Sequence, residues 1–72
     1  MDFWRSVAGM IEVELTGAAP EQSIAEVSTL NIEIRAIRKL SDLTYSFLIP
    51  RRNTHVLMNV CKKRGDTVKI IN

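Results

Sequence analysis

The stretch Gly9-Met10-Ile11-Glu12-Val13-Glu14-Leu15-Thr16-Gly17 constrains this chain more than any other. Ile11, Val13 and Leu15 alternate with Glu12 and Glu14 between two glycines, the period-two pattern of a strand with one buried face and one polar face. It is expected to be the central strand. Nothing in it is catalytic equipment, and the remaining residues add no nucleophile, base or ligand cluster that stands out on chemistry alone.

Seventy-two residues make one domain spanning 1–72, and a chain of this size buries only about 60% of the surface its unfolded form exposes. A content of 46% apolar and 25% charged residues is ordinary for a globular domain and excludes a disordered tail. No apolar run approaches the roughly 18 residues that span a bilayer, and Met1-Asp2-Phe3-Trp4-Arg5 lacks the apolar core of a signal peptide. The chain as given is therefore read as soluble. The lone Cys61 forms no internal disulfide, which fits a reducing compartment.

Along the chain, Met1 to Ala8 carries Phe3, Trp4 and Val7 in a segment too brief for a stable element. Its aromatics must fold back or meet a partner. Gly17-Ala18-Ala19 turns the chain, and Pro20 begins a helix where proline costs no hydrogen bond. Ile24, Val27 and Leu30 form its apolar stripe, and Asn31 ends it in the left-handed conformation. A second strand is expected from Ile32, with Ile32, Ile34 and Ala36 on one face and Glu33, Arg35 and Ile37 on the other. Arg38-Lys39-Leu40 marks it as an edge. Ser41-Asp42 makes the next turn, Leu43 to Ile49 is a strand with Tyr45, Phe47 and Ile49 on one face, and Pro50 stops it. Asn53 or Thr54 caps a second helix with the stripe Val56, Leu57, Val60 and Cys61. Lys62-Lys63-Arg64 suits its last turn and Gly65 ends it. Asp66 to Asn72 is the last strand.

Strand, helix, strand, strand, helix, strand has one common solution under right-handed crossovers, the ferredoxin-like α+β sandwich. Its four-stranded antiparallel sheet has the order 4-1-3-2, with both helices on one face. The predicted core is Ile11, Val13, Leu15, Ile24, Val27, Phe47, Ile49, Leu57, Val60, Val68 and Ile70. The first helix lies beside the second, so its glutamates can meet the second helix's basic end.

The fold leaves function open, so function is tested on residues. Metal carriers of this architecture place paired cysteines in the first loop, which here reads Gly17-Ala18-Ala19-Pro20. His55 and Cys61, six positions apart on a helix, cannot ligate one ion. No metal and no cofactor is expected; Cys61 is read as a core residue and His55 as a surface one. RNA-binding versions expose aromatics on the open face of the central strands, where this chain has Glu12 and Glu14. Regulatory amino-acid-binding domains also have a glycine after the first strand, but any sharp turn wants one.

Charge divides the chain. Residues 1–36 carry a net −4 and residues 37–72 a net +6, which allows attraction within the fold or between copies. Two candidate surfaces follow. Ile37, Leu48 and Ile71 should project from the open side of the sheet among Glu12, Glu14 and Lys69, with Trp4 among the groups that could cover or extend that strip. Arg51, Arg52, Lys62, Lys63 and Arg64 form a candidate basic surface.

Trp4 ahead of Gly9, the segment Ile11-Glu12-Val13-Glu14-Leu15-Thr16-Gly17, a helix leading into Asn31-Ile32, and Cys61-Lys62-Lys63-Arg64-Gly65-Asp66-Thr67-Val68-Lys69-Ile70 together resemble the N-terminal domain of the sporulation protein YqfD family. Asn31 stands where usual members have glycine, and it tolerates the same backbone conformation. The resemblance implies an excised N-terminal domain on the cytoplasmic side of a membrane, from a parent continuing into a spanning helix. It implies no enzymatic activity and no catalytic residue. The resulting expectation is a non-enzymatic docking or assembly domain that binds a protein partner or itself, does not insert into the membrane, and is not expected to bind nucleic acid. A small-ligand or nucleic-acid-binding module of the same fold is the alternative.

Overall fold

The computed structural model describes residues 9–71; Phe3, Trp4 and Asn72 lie outside them. Strand β1 (Met10–Thr16) leads through Gly17 into helix α1 (Pro20–Thr29), with Pro20 in its first turn. Strands β2 (Arg35–Ser41) and β3 (Thr44–Pro50) form a hairpin. A 3-10 turn (Arg51–Asn53) precedes helix α2 (Thr54–Arg64), and β4 is Thr67–Ile70. The strands pair antiparallel in the order β2-β3-β1-β4. Read from the other edge this is the order expected from the sequence, with β1 central.

Alternation assigns the faces. Ile11, Val13 and Leu15 of β1 are buried and sit opposite Ile49, Phe47 and Tyr45 of β3. On the other flank Val13 and Leu15 pair with Ile70 and Val68. The buried side chains of α1 (Ile24, Val27) and of α2 (Leu57, Val60, Cys61) join these strands in one cluster, so both helices cover the same side. Burial of that cluster drives the fold.

Both helix ends use the left-handed residue expected of them. Gly65 has φ 76° and its neighbour Asp66 donates its N–H to Cys61 O at 2.8 Å, while Gly65 N–H donates to Lys62 O, the bond pair that closes a helix around a left-handed residue. Asn31, at φ 65°, ends α1 in a similar way, its N–H donating to Ser28 O. Here the stripe departs from expectation. Leu30 is 49% exposed and Ile32 is buried instead. The reversal at Asn31 swings Leu30 out and returns Ile32 towards Val27, the apolar contact that accompanies such helix ends.

Four further corrections concern the strands. β2 starts at Arg35 rather than Ile32, and Leu43 belongs to the two-residue Asp42-Leu43 turn rather than to β3. Ile70, expected in the core, is 52% exposed, because β4 is an edge strand and no described strand lies on its outer side. Val68 is only partly buried for the same reason.

Phe47 is 1% exposed on the central pair of strands, and its replacement by alanine should cost about 3–5 kcal/mol. Urea unfolding of Phe47→Ala measures this; an unchanged midpoint would contradict the assignment of faces.

Candidate interaction surface

One end of the domain is closed by polar contacts. Asp66, just after α2, has a side chain only 3% exposed. It lies against Gly17 after β1: a Cβ built on Gly17 would fall inside the carboxylate, 2.6 Å from Asp66 Cγ. Ser23 of α1, fully buried, donates its hydroxyl to Asp66 Oδ2. Arg64 completes the cluster. Its Nε donates to Ser23 Oγ at 2.8 Å and lies 3.8 Å from Asp66 Oδ2, and its remaining nitrogens reach Glu26 Oε1 at 3.2 Å and Gln22 Oε1 at 3.3 Å. This is the expected meeting of the first helix's glutamates with the second helix's basic end. No buried side-chain polar atom among the described residues lacks a partner, so the cluster has no unsatisfied group to offer a ligand, and its role is to hold two connections together.

Near the other flank of α1, Tyr45 donates its hydroxyl to Glu21 Oε2 at 2.7 Å. That bond holds the Glu21 carboxyl below its ordinary 4.5 and the Tyr45 hydroxyl above its ordinary 10.0. Glu21 therefore adds stability above pH 4.5 that is lost as pH falls through its lowered value. Tyr45 adds stability below pH 10 that is lost as pH rises through its raised value. Cys61 is buried, and desolvation pushes its thiol up to about 11, the behaviour of an inert core cysteine. His55 is exposed, and no group of three or more His, Cys, Asp or Glu residues that could hold a metal ion occurs among the described residues.

Neither described helix covers the opposite side of the sheet. Leu48 pairs with Glu12 from β3, and Ile71 donates its N–H to Glu12 O at 2.8 Å from beyond β4. Glu12 is therefore flanked by two apolar side chains, with Ile71 41% exposed. Arg38 of β2 reaches Glu12 Oε2 at 3.5 Å across the intervening β3, spanning the buried Ser46 with which Arg38 pairs.

Ile37 does not join this strip. Arg35 pairs with Leu48 and Arg38 with Ser46, so Ala36 and Ile37 together oppose the single residue Phe47. Ala36, at φ 54°, carries this bulge. The extra residue turns Ile37 to the helix side and puts Arg38 on the open side. Of the four residues expected on the open strip, the structure brings Leu48 and Ile71 together around Glu12, turns Ile37 away, and Trp4 lies outside the described residues.

The basic candidates also divide. Arg64 is committed to the internal cluster. Arg51, Arg52, Lys62 and Lys63 are exposed and form no ion pair among the described residues, with the two pairs at opposite ends of α2, about 15 Å apart at 1.5 Å per residue.

Against known proteins, no family model matches the chain and no curated protein matches it. No helix among the described residues is long and apolar enough to cross a membrane.

Two outcomes are expected. Gly17→Ala should destabilise the domain by about 1–3 kcal/mol in urea unfolding, and the loss should shrink in an Asp66→Ala background; an equal loss in both backgrounds would contradict the close approach. Tyr45→Phe should raise the Glu21 midpoint, followed by carboxyl NMR, towards 4.5; an unmoved midpoint would show that the bond does not set it.

Proposed function

We propose that this chain is a non-enzymatic interaction domain of ferredoxin-like fold, acting as a docking or assembly module in a YqfD-like sporulation protein whose parent is anchored in a membrane, with this domain on the cytoplasmic side. The observation that carries the interaction role is the side of the sheet that no described helix covers, where Leu48 and Ile71 flank Glu12. Apolar side chains beside a half-buried carboxylate and an arginine make a surface that a protein can cover while keeping the charges paired. The element order and the sheet order support the ferredoxin-like assignment.

A second reading, binding of nucleic acid or another polyanion, draws on Arg51, Arg52, Lys62 and Lys63, which form no ion pair among the described residues. Salt separates the two, because phosphate binding weakens steeply with ionic strength whereas an apolar protein contact does not.

Leu48→Lys should leave the domain folded while weakening its association with itself or with the purified remainder of the parent protein, read by sedimentation and by capture. Unchanged association would remove the open face as the working surface.

A further inference from the structure

The two edges of the sheet are built differently. β2 carries Arg35, Arg38 and Lys39, and its register shifts twice, between Arg35 and Arg38 and again between Lys39 and Ser41. Bulges and charge of this kind block the addition of another strand. β4 pairs with β1 in continuous register, holds the single charge Lys69, and presents Ile70 at 52% exposure.

Alternation shows which backbone groups of β4 are unspent. Ile71 donates to Glu12 O, which makes Glu12 and Ile71 a bonded pair and leaves Val13–Ile70 and Leu15–Val68 as the non-bonded pairs. The N–H and C=O groups of Val68 and Ile70 therefore point away from β1, to an edge on which no described strand lies.

We propose that this edge takes the same edge of a second copy of the chain, antiparallel across a twofold axis at Ile70, so that the two sheets become one. The inference specifies the partner within the interaction role proposed above and rests on it. Charge selects the arrangement. Pairing β4 with the β2 edge of another copy would set Lys69 beside Arg35, Arg38 and Lys39 and would generate an open filament rather than a closed pair. Pairing centred on Lys69 would place two lysines opposite each other, which is unfavourable. Centred on Ile70, the row on the helix side runs from Val13 through Ile70 to Ile70 and Val13 of the second copy. On the open side Lys69 meets Ile71 of the second copy, whose neighbour is Glu12, so a cation is brought towards a carboxylate. Met58 of α2 adds apolar surface. It is 36% exposed and six residues before the helix end, about 9 Å back, level with Ile70, which is about 10 Å along β4 from Thr67.

Sedimentation velocity of the wild-type chain over rising concentration should show a monomer–dimer equilibrium. Ile70→Lys should weaken it at least about tenfold. Ile70→Pro should do the same while keeping the fold, since the N–H it removes points away from β1 and bonds nothing among the described residues. Ile37→Lys, on the blocked edge, should leave it unchanged. A monomer at every concentration, or a dimer that survives both Ile70 variants while they remain folded by circular dichroism, would overturn the inference. Either result leaves the broader interaction reading to the Leu48 test, so the two failures are distinguishable.

Discussion

The buried Asp66 carboxylate is the contact on which the arrangement of the chain turns. It sits where the connection from β1 to α1 meets the connection from α2 to β4, residues far apart in sequence. A carboxylate in such a place needs compensation, and at Oδ2 it comes from two different helices: Ser23 donates a hydrogen bond and Arg64 brings its charge to 3.8 Å. Gly17 has no side chain because the carboxylate occupies that space. With the helices held together at this end and joined to the sheet by one apolar cluster, the helix side of the domain is closed. Among the described elements, the open side of the sheet and the outer edge of β4 have nothing packed over them, and these are the surfaces on which the proposed interactions rest.

Much of this was legible in the residues. The alternation of Ile11, Val13 and Leu15 located the central strand, Asn31 and Gly65 marked the ends of two helices, and the charged run Arg38-Lys39 placed β2 at an edge. These are local signals, set by backbone preference and by side-chain period. The meeting of acidic α1 with the basic end of α2 followed from topology and charge together.

The misreadings share a cause. A bulge inverts every side chain beyond it, and nothing in the stretch Arg35-Ala36-Ile37 announces one, since alanine is not a usual left-handed residue. Ile37 was therefore assigned to the wrong side. Leu30 continued the helical period, but as the residue just before the anticipated left-handed turn at Asn31 it swings out, and Ile32 took its place in the core. Ile70 has the alternation of a buried strand residue, yet burial needs a neighbour on both flanks and β4 has one. Ser23 and Asp66 gave no local signal at all, because their partnership is tertiary and joins residues 43 positions apart.

The proposed self-association uses one edge of the sheet, β4, while the other, β2, is blocked by bulges and charge. Backbone amide exchange, followed residue by residue on the intact chain at low and at high concentration, tests that asymmetry most directly. The account predicts that the Val68 and Ile70 amides exchange freely when dilute and gain protection on concentration, while the outward amides of β2 remain unchanged. Protection that appears along β2, or that never appears along β4, would contradict it.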